Sequence, residues 1–181
     1  MFSITKCAAP ANTMLNGYSR KIGVYTDCYV TELPGQVTFP EYIFAFYTTW
    51  LFKLERLILK FTVAKPSTDQ GARQLADGSI QSFAAWDVEG RSERELLMCD
   101  FMARTRSWLM VEAAGAGTRF YFGSAVVPVQ DPETGKGSMG WLFLLLLGFH
   151  QAYSVLLLYF ARLRVWRGFS RGPSRLKEEN S

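Results

Sequence analysis

The sequence predicts an α+β fold: an antiparallel β-sheet meander wrapped around a long C-terminal helix, with a short helix pair after the first strand. Three observations carry this reading. Four strand-like runs between residues 80 and 129 are separated by breaks so short that only hairpins can join them. A fifth run, residues 24–33, stands apart from the others behind a helical stretch. The apolar stretch 141–166 is far longer than a strand and reads as one helix. With 181 residues, 49% of them hydrophobic and 20% charged, the chain suits a single domain with a full core and not a disordered chain.

Residues 1–22 mix Ser, Thr, Asn, Pro and Ala without a period and read as a flexible arm. Val24 to Leu33 is rich in Val, Tyr and Thr, as a strand would be, and Pro34-Gly35 ends it. Pro40 and Glu41 then suit a first helical turn. Leu51, Leu54, Ile58 and Phe61 share a face of a second helix, apart from Lys53, Glu55, Arg56 and Lys60. Residues 65–79, with Pro66, Gly71 and Gly78, are expected to be a polar loop. The meander strands are expected at 80–88, 95–101, 104–112 and 118–129, with Pro128 closing the last. Residues 23–166 are taken as the domain and 167–181 as a basic polar tail.

The phrases GSIQSFAAWDV, ELLMCDFMARTRSWLMVE, GTRFYFGSAVVPV and GFHQAYSVLLLYFAR, in this element order, resemble a bacterial branch of the helix-grip superfamily. START, Bet v 1 and polyketide-cyclase proteins belong to that superfamily. The resemblance covers residues 24–166. It implies a cavity between sheet and final helix that holds an apolar or amphipathic molecule. Some relatives catalyse cyclisation and many only bind, so a cyclase- or hydrolase-type enzyme is an alternative function.

The final helix admits a second alternative. No formal charge occurs from Gly137 to Ala161, long enough to span a bilayer, with Trp141 and Trp166 near the ends and Arg162, Arg164 and Arg167 beyond. Polar His150, Gln151, Tyr153 and Ser154 at the midpoint oppose insertion. They place Leu142, Phe149, Tyr153, Leu156, Phe160 and Leu163 on the expected core stripe, with Phe149, Tyr153 and Leu156 its most buried members. Leu144, Leu147, Val155 and Leu158 lie nearer the polar face, a surface for a membrane or a second copy.

Chemistry is sparse. His150 is the only histidine and Asp100 a carboxylate in an apolar run, so these are the candidate catalytic groups, both weak. Trp86, Arg106, Trp108, Tyr121, Phe149 and Tyr153 are the candidate ligand-binding residues. Aromatics wall an apolar body, and Arg106 anchors an acid. No phosphate-binding or nucleophile motif is present, and no metal or other cofactor is expected. The net charge of +4 is concentrated in Arg162, Arg164, Arg167, Arg171, Arg175 and Lys177, which excludes a general nucleic-acid binder. Cys7, Cys28 and Cys99 are far apart in sequence and suggest no disulfide framework. A cytoplasmic protein is expected, with membrane association through the C-terminal helix as the alternative.

Overall fold

The computed structural model describes residues 3–54, 67–130, 137–138 and 141–170, with side chains for 3–54, 67–128 and 153–168. It is α+β, with a seven-stranded antiparallel open sheet and a C-terminal helix. The strands are β1 (Thr5–Lys6), β2 (Tyr25–Pro34), β3 (Ser82–Phe83), β4 (Trp86–Arg91), β5 (Glu95–Asp100), β6 (Thr105–Ala114) and β7 (Gly117–Val126). Their order is β1-β2-β7-β6-β5-β4-β3. The first long strand therefore lies beside the last, paired from Tyr25↔Val126 to Pro34↔Gly117. A separate two-stranded ladder joins β8 (Val129–Gln130) to β9 (Gly137–Ser138).

The meander has one more strand than expected. Residues 80–88 do not form a single strand. The chain reverses at Ala84, whose φ is +54°, so β3 folds back on β4. The expected break at 89–92 is largely strand as well. The register shifts between Val88 and Gly90, and β4 continues to Arg91 against β5. A bulge absorbs the extra residue without ending the ladder, so the polar residues there do not mark a turn. The β6–β7 hairpin turns on Gly115, at φ +60°.

The helices are α1 (Met14–Ser19), α2 (Phe39–Tyr47), α3 (Asp69–Ala76) and α4 (Trp141–Ser170). Thr38 opens α2 with a reciprocal capping box to Glu41, and residues 50–54 are again helical. The rest of the expected second helix lies outside the described residues. α3 replaces the expected polar loop. Thr68 Oγ1 accepts the Gly71 N–H at 3.0 Å, and Asp69 stands at the positive end of the dipole. Ala72, Leu75 and Ala76, at helical spacing, are buried against α2. The Arg91 guanidinium donates to the carbonyls of Leu75 and Ala76, satisfying the other end. Packing and these two caps outweigh Gly71 and Gly78, the residues that suggest a loop.

The two faces of the sheet have separate cores. On one face Leu33, Leu96, Met98, Leu109, Phe120 and Phe122 pack with Tyr42, Phe46, Leu157, Leu158 and Ala161 of α2 and α4. On the other, Cys28, Leu97, Trp108, Met110, Tyr121 and Ala125 are covered by Leu15 and Tyr18 of α1. The segment expected to be a flexible arm is thus a structural layer. β1 pairs with β2, and Leu15 is fully buried. Its apolar residues are too few to show a period, yet they complete the core of a face that would otherwise expose Trp108.

α4 buries a different stripe from the expected one. Ser154, Leu157, Leu158, Ala161 and Arg162 are buried, whereas Leu156 is 45% exposed and Tyr159 42% exposed. Small Ser154 and Ala161 share the buried side with Leu157 and Leu158, packed toward α2 and the sheet, and Leu156 and Tyr159 turn outward. Burial lowers the pKa of Arg162. Among the described residues no helix is long and apolar enough to cross a membrane. Much of the proposed anchor 137–161, and the tail beyond residue 170, lies outside those whose side chains are described.

Candidate ligand-binding cleft

The sequence-predicted binding residues are divided between the two faces. Arg106, Trp108 and Tyr121 lie on the α1 face, away from α4. Trp108 is fully buried there and donates its indole N–H to Glu95 Oε2 at 2.9 Å. Tyr121 donates its hydroxyl to Glu112 Oε2 at 2.8 Å. Arg106 bonds Glu89 Oε2 at 2.9 Å and the Ala103 carbonyl at 2.6 Å, with its guanidinium 5.0 Å from the Tyr18 ring centre. Burial raises the pKa of Glu89, but hydrogen bonds from Tyr18 and Arg106, with the Arg106 charge, hold it below the ordinary carboxylate value. This is a locking network between the sheet and α1.

Trp86 and Tyr153 lie on the opposite face, half-buried against the larger core. Asp100 accepts the backbone N–H groups of Arg104 at 2.7 Å and Thr105 at 3.0 Å, so it organises the β5–β6 turn. The side chains of Phe149 and His150 lie outside the described residues. Between the sheet and residues 153–165 of α4 lie side chains of the larger core.

Two clefts open on the helical layer. One cleft of about 460 Å³ lies where α2, α3 and α4 meet, lined by Phe44, Ala45, Arg73, Ala76 and Arg164. A second, of about 710 Å³, is lined by Thr49, Trp50, Phe160, Leu163, Arg164 and Arg167. Arg164 and Gly168 belong to both. The clefts therefore meet at Arg164, and a Cβ on Gly168 would touch nothing within 4 Å.

Phe44, in the smaller cleft, lies beside two cations. The Arg73 guanidinium lies 4.2 Å from its ring centre and that of Arg164 lies 5.6 Å away. Both distances are within the range of cation–π attraction, so the ring of Phe44 is a shared neighbour of the two cations. Arg164 is also held by its Nη1–H, which donates to the Thr48 carbonyl at 3.0 Å. Glu41, on the same wall, is committed to its helix cap through Thr38. The apolar wall of the second cleft is built on Trp50 and Phe160, whose rings meet edge to face at 5.1 Å.

Chemically, the larger cleft has an apolar wall, and the smaller one carries the guanidinium groups of Arg73 and Arg164 with the carboxylates of Glu41 and Asp77 on its lining. Guanidinium forks bind carboxylate or phosphate oxygens through parallel hydrogen bonds. Among the described residues no three His, Cys, Asp or Glu side chains are grouped to hold a metal ion. Sequence reasoning passed over Phe44, Arg73 and Arg164. Arg73 falls in the supposed loop, and Arg164 was read only as one of the cations closing the long helix. The signal for Arg73 was the Thr68-Asp69 cap followed by Ala72, Leu75 and Ala76. Compared with known protein families, curated proteins and solved structures, the chain finds no match.

Proposed function

We propose that the chain binds a small amphipathic acid in the joined clefts between α2, α3 and α4. The apolar body lies against Trp50, Phe160 and Leu163, and the acidic group lies at Arg73 and Arg164. The observation that supports this is the placement of both guanidinium groups beside Phe44 in the smaller cleft, which shares Arg164 and Gly168 with the larger one. The proposal keeps the ligand class expected from the sequence but moves the site from the inner to the outer side of the helical layer. It also takes the fold as helix-grip. The pairing of β2 with β7, the five-stranded meander and the closing α4 support that kinship.

The test is calorimetric titration of the full chain with a medium-chain fatty acid and with the alcohol of the same length. The acid binds saturably and the alcohol weakly. Arg73→Gln weakens the acid by about 10–150-fold, corresponding to about 1.5–3 kcal/mol for a hydrogen bond to a charged group, and leaves the alcohol unchanged. Because Arg164 also ties α4 to Thr48, Arg73 is the cleaner position. Equal binding of acid and alcohol, or no binding, overturns the proposal.

A second reading rests on a different observation. Trp50, Leu156, Tyr159 and Trp166 are all more than 40% exposed, and Arg164 and Arg167 stand in the same region. Aromatic and basic groups together suit the headgroup zone of an anionic membrane. Flotation with phosphatidylserine vesicles but not phosphatidylcholine vesicles would favour surface attachment.

A further inference from the structure

Cys7 and Cys28 are separated by most of the N-terminal segment, yet the fold sets them side by side. The β1–β2 register pairs Thr5 with Val30 and Lys6 with Tyr29, so the next position in the ladder sets Cys7 against Cys28. The Cys7 N–H donates to the Cys28 carbonyl at 2.9 Å, and the two sulfurs are in hydrogen-bond contact at 3.4 Å. Both are free thiols. A disulfide needs about 2.05 Å between sulfurs, so closure asks for little more than 1 Å of approach.

We propose that Cys7 and Cys28 form a modification site, a cross-strand dithiol that is oxidised by low-molecular-weight disulfides such as oxidised glutathione. The two thiols have the roles this exchange needs. Cys7 is partly exposed, whereas Cys28 is 2% exposed. The hydrogen bond with Cys28 lowers the Cys7 pKa against the opposing effect of burial, and the same bond, with burial, raises that of Cys28. Cys7 is therefore the entering nucleophile and Cys28 the resolving thiol.

The exchange balances in two steps. The Cys7 thiolate attacks one sulfur of the small disulfide, breaking its S–S bond. This forms a mixed disulfide and releases one thiolate. Cys28 then gives up its proton to solvent and attacks Cys7 Sγ, forming the Cys7–Cys28 bond and releasing the second thiolate. One small disulfide is reduced to two thiols and the protein dithiol is oxidised. The new bond closes a ring over residues 7–28, which includes α1 and its buried anchor Leu15. Oxidation thereby ties down the layer that covers Trp108. Cys99, on β5, bonds the Asp100 carbonyl at 3.4 Å and serves as the internal control.

The test equilibrates the full chain with oxidised glutathione, quenches it in acid, alkylates it and determines intact and peptide masses. The expected product carries one alkyl group, on Cys99, and a cross-linked Cys7–Cys28 peptide. Dithiothreitol restores three alkylation sites. The oxidised chain unfolds at a higher temperature than the reduced one, and Cys7→Ser abolishes that difference while leaving a folded protein. Three alkylated cysteines after oxidation, or a glutathione adduct persisting on Cys7 with Cys28 still free, overturns the proposal.

Discussion

Glu95 Oε2 accepts the indole N–H of Trp108 and the backbone N–H of Met14, each at 2.9 Å, joining the sheet to the first turn of α1. Glu95 is 6% exposed and Trp108 fully buried. Glu95→Ala leaves both donors without this acceptor and is expected to destabilise the protein by about 1–3 kcal/mol, the cost of orphaned buried polar groups. Glu95→Gln keeps an acceptor oxygen and loses less. Urea unfolding followed by tryptophan fluorescence measures both. A loss below about 0.5 kcal/mol for Glu95→Ala would mean that water replaces it freely.

Leu15 occupies the space left by the missing side chain of Gly123. A Cβ on Gly123 would lie 2.8 Å from the Asp27 carbonyl oxygen and would overlap Leu15 itself. Leu15→Ala is expected to cost about 2–5 kcal/mol, as for a core leucine. Gly123→Ala is expected to cost about 1–3 kcal/mol through overpacking. Truncating Leu15 relieves part of that clash, so the double variant should lose less than the two single losses added. Strict additivity would place Leu15 away from Gly123.

The orientation of α4 is tested by two neighbouring leucines. Leu158 is fully buried and Leu156 is 45% exposed. Leu158→Ala should cost about 2–5 kcal/mol and Leu156→Ala about 0.5 kcal/mol or less. The reverse ranking would restore the stripe that the sequence pattern suggests.

The Glu89 network predicts the acid limb of stability. Burial disfavours its charge, but Tyr18 and Arg106 hold its pKa below the ordinary value in the folded state. The unfolded chain therefore takes up this proton first as pH falls. The stabilisation is fully present above about pH 4.3, the ordinary glutamate value, and is lost as pH drops through the lower folded pKa. Glu89→Gln should lower the melting temperature near neutrality and flatten its decline below about pH 4.3. Melting temperatures followed by circular dichroism across this range provide the check. An unchanged acid limb would remove Glu89 from the network.

Local patterns determined which stretches pair and which coil. Alternation and short breaks placed β2, β5 and β6 within a residue or two and β7 within three, because ladder geometry repeats every second residue and a short turn admits only a hairpin. The long helix was legible from length and apolarity alone. Which way these elements face was decided elsewhere. Trp108 and Leu109 sit on opposite sides of β6, and alternation treats both sides alike until Leu15 covers one and Leu157 the other. α4 is apolar nearly all round, so its buried stripe was selected by the close fit of Ser154 and Ala161 against α2 and the sheet, a contact with no period of its own. Phe44 with Arg73 and Arg164, and Cys7 with Cys28, are separated by 29, 120 and 21 positions. Only tertiary packing brings such residues together, because the energies that join them belong to contacts between elements and leave no mark on the sequence near either partner.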